Sequence, residues 1–189
     1  ESGLEENTLV IFTSDNGYEH FIGVKDLEDK GHYPSGPLRG YKRDAWEGGH
    51  RIPFIVRYPG VIKPGTVCEQ LVNQSDIMAT LADLFDYKLT DNEGEDSFSF
   101  LKLLKGSNKP IRENSVSTNV LGVMTVRSGS WKLICDEKLQ LYNLSDDIGE
   151  TINLASEKPQ MVNKILKLRE RLITNGRSTR GVIQNNDVS

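Results

Sequence analysis

The earliest uninterrupted apolar run, Leu9-Val10-Ile11-Phe12, lies between Thr8 and Thr13-Ser14-Asp15-Asn16-Gly17. A run without alternation predicts a strand buried on both faces, as in a parallel sheet covered by helices. Ile52 to Tyr58 reads as a second such strand, with Pro53 tolerated near its start and Pro59-Gly60 closing it. Val67 to Val72 predicts a third. Residues 18–40, between the first two, form a long polar loop rich in Gly and Pro. Ser75 or Asp76 can cap a helix running to about Phe85, with Ile77, Met78, Leu81, Leu84 and Phe85 on one face. A strand followed by an amphipathic helix is the repeating unit of an α/β layer.

The periodicity changes after Phe98 to Leu104, an apolar segment ended by Gly106. Val123 to Arg127, Trp131 to Cys135 and Leu139 to Leu144 alternate around turns at Ser128-Gly129 and Asp136-Glu137-Lys138, which predicts an antiparallel meander. Ser156 and Pro159 open a helix whose apolar face includes Val162, Ile165, Leu168 and Leu172, and Asn175-Gly176 stops it. The expected fold class is α/β, with part of a mostly parallel, helix-flanked core over residues 1–106. A small antiparallel-sheet-plus-helix subdomain follows over 107–176, and residues 177–189 are expected to be a disordered polar tail.

Charge and cysteine usage narrow the partners. The formal net charge is −4, with acids and bases mixed along the chain, which gives no support for a nucleic-acid partner. No run approaches the ~20 apolar residues of a membrane span. The two cysteines, Cys68 and Cys135, lack metal-ligand spacing and are expected to be buried thiols. The start at Glu1-Ser2-Gly3 suggests a piece of a longer protein.

The candidate chemistry sits where the first strand ends. In open α/β sheets the carboxyl ends of strands face the ligand crevice. Asp15 and Asn16 place a carboxylate and an amide there, both hard oxygen donors suited to Ca²⁺ and, less well, Mg²⁺. Neighbouring side chains point to opposite faces of a regular strand, so both can reach one ion only if the chain leaves the strand near Asp15. Gly17 permits that turn. The plainer reading is that Asp-Asn-Gly is turn punctuation alone. Cationic side chains then gather around Gly48-Gly49: Lys42, Arg43, His50 and Arg51.

Four stretches in order carry a family resemblance: Thr13-Ser14-Asp15-Asn16-Gly17, Leu38-Arg39-Gly40-Tyr41-Lys42, Glu47-Gly48-Gly49-His50-Arg51-Ile52-Pro53 and Tyr58-Pro59-Gly60. They resemble the second half of a type I, formylglycine-dependent sulfatase of the arylsulfatase type, in the alkaline phosphatase superfamily. Leu141 to Asp147, Glu150 and Asn153-Leu154 resemble that family's C-terminal subdomain. The resemblance implies sulfuric ester hydrolysis, with Asp15 and Asn16 as ligands of the active-site cation, usually Ca²⁺, and Lys42 as the catalytic lysine that binds the sulfate. It implies a sulfated small molecule or glycan as substrate and a periplasmic or secreted location. His50 and His32 are weaker substrate-binding candidates, and His32 and His20 could line the substrate entrance. Arg51 is expected to brace its loop, Glu47 to bond backbone donors of the Gly48-Gly49 turn, and Trp46 and Trp131 to serve packing.

The family's nucleophile, a formylglycine made from a Cys/Ser-x-Pro-x-Arg signature, belongs to an N-terminal part that these residues do not include. The isolated chain is therefore expected to be inactive. Ser35-Gly36-Pro37-Leu38-Arg39 fits the bare signature but runs straight into the Lys42 loop and lacks the helix start that normally follows. Two alternatives stay open: a phosphodiesterase or phosphonate hydrolase of the same superfamily, and a non-catalytic homologue or fragment that binds sulfated glycans.

Overall fold

The computed structural model describes residues 2–185. Among the described residues, contacts divide the chain into two compact units built from interleaved stretches, one holding residues 56–115 with the flanking stretches up to residue 10 and from residue 166, the other residues 11–55 and 116–165. The α/β class holds, with two sheets and intervening helices.

Strands β1 (Val10–Thr13) and β2 (Phe54–Arg57) form a two-stranded sheet. Both alternate between exposed and half-buried positions, with Val10 46 %, Phe12 62 % and Ile55 61 % exposed. This corrects the expectation of a strand buried on both faces. Apolar side chains on two faces need cover on two faces, and among the described residues these strands are covered on one. The expected third strand is also absent: residues 67–72 are irregular, with Val67 86 % exposed, and Cys68 is exposed rather than buried.

The long loop contains a short helix, α1 (Val24–Glu28), anchored by the buried Val24, and it leads to a single helical turn, α2 (Glu47–His50). Helix α3 (Asp76–Leu84) lies where the capping signals put it but buries the opposite face: Asp76, Ala79 and Thr80 are covered, while Met78 and Phe85 are exposed. Polar bonding explains the rotation. The Asp76 carboxylate accepts from the backbone N–H groups of Asn73 (2.7 Å) and Phe98 (2.9 Å) and pairs with Arg112 at 3.0 Å. The Thr80 hydroxyl accepts from the Phe100 N–H at 3.0 Å, and the Ser97 hydroxyl from the Ala79 N–H at 2.8 Å. The apolar segment after it contributes α4 (Leu101–Leu104).

The meander is present as a four-stranded sheet in the order β3 (Asn114–Thr118), β4 (Met124–Ser128), β5 (Trp131–Ile134), β6 (Gln140–Asn143). β4–β5 and β5–β6 are antiparallel, with Val126 opposite Leu133 and Leu133 opposite Leu141. All three of these side chains are fully buried, so the register is fixed by an apolar row. The other face places Arg127 opposite Lys132 and Lys132 opposite Tyr142. Helix α5 (Pro159–Asn175) follows, with Val162 and Ile165 buried and Leu168 and Leu172 half-buried. Of the expected disordered tail, residues 177–185 are described and make specific contacts. Arg177 is buried and donates to the carbonyls of Asp91 and Val182, each at 2.9 Å, and the Ser178 N–H donates to Asp96 at 2.8 Å. Residues 186–189 lie outside the description. Among the described residues no helix is long and apolar enough to cross a membrane.

Candidate active site

The strand-ending turn and the lysine loop are tied together through their main chains. β1 ends at Thr13 and the chain bends over residues 15–17, where both candidate ligands need it to leave the strand. The Gly17 N–H donates to the Gly49 carbonyl (3.0 Å), the Lys42 N–H to the Tyr18 carbonyl (2.8 Å) and the Gly48 N–H to the Arg39 carbonyl (2.7 Å). The three segments approach closely enough that glycine is obligatory. A Cβ on Gly17 would lie 1.7 Å from the Gly48 oxygen, one on Gly48 2.0 Å from the Gly40 oxygen, and one on Gly49 2.3 Å from the Asp44 oxygen. Asp44 closes the loop by accepting from the Tyr41 N–H at 2.9 Å. Asp15 is exposed and Asn16 half-buried on this seat.

The seat rests on a buried ionic cluster. Lys132 Nζ lies 3.0 Å from both Glu47 Oε1 and Glu150 Oε1, and all three residues are at most 6 % exposed. Glu150 Oε2 also accepts from the Glu47 N–H, capping α2. The expectation that Glu47 bonds the donors of the Gly-Gly turn is therefore corrected: its carboxylate is taken by Lys132 and, at 3.2 Å, by Arg51, which braces the loop as expected. Burial alone would raise the Glu47 pKa, but the attraction and hydrogen bond of Lys132, with Arg127 and Arg51, hold it below its ordinary value. Glu150 moves the other way, raised chiefly by burial and in part by the Glu47 charge, against the pull of Lys132.

Arg39 joins the loop to the subdomain. Its guanidinium donates to the Glu150 carbonyl at 2.8 Å and to the Tyr142 hydroxyl at 3.4 Å, and stands 3.9 Å over the Trp46 ring. Trp46 packs on the cluster of Ala45, Ile134, Tyr142 and Leu144, as its packing role required. Ser35 donates its hydroxyl to the Gly40 carbonyl at 3.1 Å. In the Ser35–Arg39 stretch, Ser35 thus bonds within its own loop, while Arg39 reaches across to Glu150 and Tyr142.

The sequence-selected residues divide by position. The Lys42 side chain is 35 % exposed, and its ammonium lies 4.0 Å from Glu19, which also pairs with Arg43 at 2.6 Å and accepts from the Phe21 N–H. The Arg43 hydrogen bond, ahead of a contrary effect of burial, keeps the Glu19 carboxyl below its usual range. His50 is half-buried, and its Nε2 is buried with no hydrogen-bond partner among the described residues. Burial, then Lys132, lowers its pKa against Glu47 and Asp44, which favours the neutral ring. His32 is exposed, with its N–H on the Leu27 carbonyl. His20 stacks on Tyr41. Glu19, Arg43, Lys132 and Glu150 were not singled out as site residues. Lys132 had a signal, a charge inside the apolar strand Trp131 to Cys135, whereas Glu150 had none beyond its place in a motif.

As metal ligands, Asp15 and Asn16 fit a hard divalent cation in kind but supply only two of the ~6–8 oxygens that Ca²⁺ takes. Among the described residues no group of three or more His, Cys, Asp or Glu side chains is placed to hold a metal. These two residues amount to part of a coordination sphere.

Comparison with known proteins agrees with this geometry. Residues 1–87 match the family model for sulfatases. An N-acetylgalactosamine-6-O-sulfatase of Bacteroides thetaiotaomicron is 36 % identical over 90 % of this chain and 37 % of its own length. Human arylsulfatase A is 34 % identical over 88 % of the chain and 38 % of its own length. A solved structure from work on glycosaminoglycan metabolism by Bacteroides thetaiotaomicron superimposes with a TM-score of 0.81, at 34 % identity, over 89 % of this chain and 39 % of that one. The chain thus spans less than two-fifths of these relatives, matching their C-terminal part. Motifs, backbone geometry and likenesses converge: residues 1–87 match the sulfatase family, and the chain is similar to the C-terminal part of sulfatases over most of its length.

Proposed function

We propose that these residues form the metal- and sulfate-binding part of a hydrolase that cleaves sulfate monoesters. One observation carries the reading: the Asp15-Asn16-Gly17 turn and the Lys42 loop are hydrogen-bonded main chain to main chain, Gly17 to Gly49 and Tyr18 to Lys42. These two backbone bridges, at 3.0 and 2.8 Å, hold the segments that carry Asp15, Asn16 and Lys42 against each other, which supports a shared site. As the S–O bond of a sulfate ester breaks, negative charge gathers on the ester oxygen and spreads over the sulfuryl oxygens. Lys42, whose backbone is held by its bridge to Tyr18, would stabilise that charge electrostatically. Asp15 and Asn16 would hold a divalent cation, Ca²⁺ in this reading, which adds Lewis-acid stabilisation at the same oxygens. The nucleophile, a formylglycine in this reading, comes from the N-terminal part of the same protein. The substrate is a sulfated small molecule or glycan, and the compartment is the family's usual periplasmic or secreted one.

Two assays test this. The chain by itself should not turn over a chromogenic aryl sulfate with Ca²⁺ supplied. Turnover that vanished in Ser35→Ala would move the nucleophile into this chain and overturn the assignment. In a protein joining these residues to a formylglycine-bearing segment, Lys42→Ala should lower kcat/KM by about 10²–10³-fold, with unchanged circular dichroism. An unchanged rate would remove Lys42 from the site.

A further inference from the structure

Arg43 adopts φ 79°. L side chains enter this left-handed region only where the surroundings compel it, and such positions concentrate at functional sites. Asparagine or aspartate can offset the strain with a local hydrogen bond, but an arginine side chain has no comparable means. What the conformation does achieve is positional. In an extended chain, Lys42 and Arg43 would point apart. Here both cations converge on one oxygen, Glu19 Oε2, which lies 2.6 Å from the Arg43 guanidinium and 4.0 Å from the Lys42 ammonium. Two half-exposed cations share one carboxylate, so these three groups together carry one net positive charge.

An aromatic surface lies beside it. The Arg43 guanidinium carbon is 5.4 Å from the centre of the Phe21 ring, and Phe21 is 74 % exposed. The His20 ring, 4.3 Å from Phe21, stacks at 5.9 Å on Tyr41, and the Tyr41 hydroxyl is anchored on Glu28 at 2.5 Å. The platform is thus supported from behind while Phe21 faces water. An exposed ring next to a guanidinium suits a sugar, whose C–H face packs on the aromatic while an anionic substituent meets the cation.

We propose that Arg43 and Phe21 form a second recognition point beside Lys42, which selects a sulfated saccharide carrying a further anionic group, a second sulfate or a carboxylate. Glu19 occupies both cations until that group arrives. The proposal rests on the reading of Lys42 as the sulfate-binding lysine.

The test is an NMR titration of the chain with a hexose 6-sulfate, a hexose disulfate and a 6-sulfated disaccharide containing a uronic acid. At least one of the doubly anionic probes should bind about tenfold more tightly than the monosulfate, and which one does identifies the second group. Arg43→Gly removes the guanidinium with a residue that favours positive φ, so the melting temperature should not fall. This variant should erase the preference, with a loss for the preferred doubly anionic probe about tenfold greater than any change for the monosulfate. Absence of a preference in the parent chain, or an equal effect of Arg43→Gly on all three probes, would overturn the proposal. Lys42→Ala separates the two readings. If it weakens all probes while Arg43→Gly changes none, the sulfate site stands and the second point falls. If Lys42→Ala changes none, the underlying reading falls with it.

Discussion

Lys132→Met should lower the stability of the chain by about 3–5 kcal/mol at neutral pH, the cost of leaving buried charge without its partner. Methionine keeps most of the side-chain volume, so the loss is electrostatic rather than a cavity effect. Lys132 is shared by Glu47 and Glu150 at 3.0 Å each, and its removal takes the ion pair from Glu150 and leaves Glu47 with Arg51. The sign of the pH dependence follows. In the parent chain the Glu47 pKa is lowered, so Glu47 contributes stability above its ordinary value of 4.5 that is lost on acidification. Without Lys132, burial and mutual repulsion push both carboxyls up. The folded variant then holds more protons than the unfolded chain above that value, and its stability rises as pH falls toward it. Urea denaturation at pH 7 and pH 5 should show a deficit that shrinks at the lower pH. An equal deficit at both would mean that Lys132 acts by packing alone.

Gly48→Ala should be nearly as costly, about 3 kcal/mol or more, and should also cost the site its geometry. The new methyl would fall 2.0 Å from the Gly40 oxygen and 2.5 Å from the Arg39 oxygen, and backbone atoms cannot yield as a side-chain tip can. The segment from Arg39 to Lys42 must shift, taking the Lys42 ammonium and the Tyr18 bridge with it. Amide exchange at Gly17 and Lys42, both hydrogen-bonded donors in the parent chain, should accelerate together. Protection unchanged at both positions would show that the loop accommodates the methyl elsewhere.

The parts legible in the sequence were those fixed by local pattern. The meander was readable because alternation specifies which face of a strand is buried, and the row Val126, Leu133, Leu141 then sets the register. The Asp15-Asn16 turn and Lys42 were readable as motifs. Illegible were the features that depend on distant partners. Helix α3 turned its Asp76–Thr80 face inward because residues 96–112 offered donors and an arginine to it, and no window around the helix contains that information. The apolar run of β1 could not reveal how many faces find cover. The pairing of Glu47 with Lys132 and Glu150 spans roughly a hundred positions, beyond any spacing rule. Arg43 was visible as charge, but its backbone conformation was not.

The glycine contacts at positions 17, 48 and 49 have a thermodynamic consequence for ligand capture. A recognition loop that orders only on binding spends part of its interaction free energy on lost chain freedom, about 1–2 kcal/mol for each residue fixed. Here the loop is clasped by carbonyl-amide bridges before any anion arrives, and no side-chain rotamer has to be chosen to form the clasp. That entropy is spent during folding. What remains to be ordered at the moment of binding is the lysine stem and its arginine neighbour, so affinity can be adjusted by substituting side chains on a seat that stays the same.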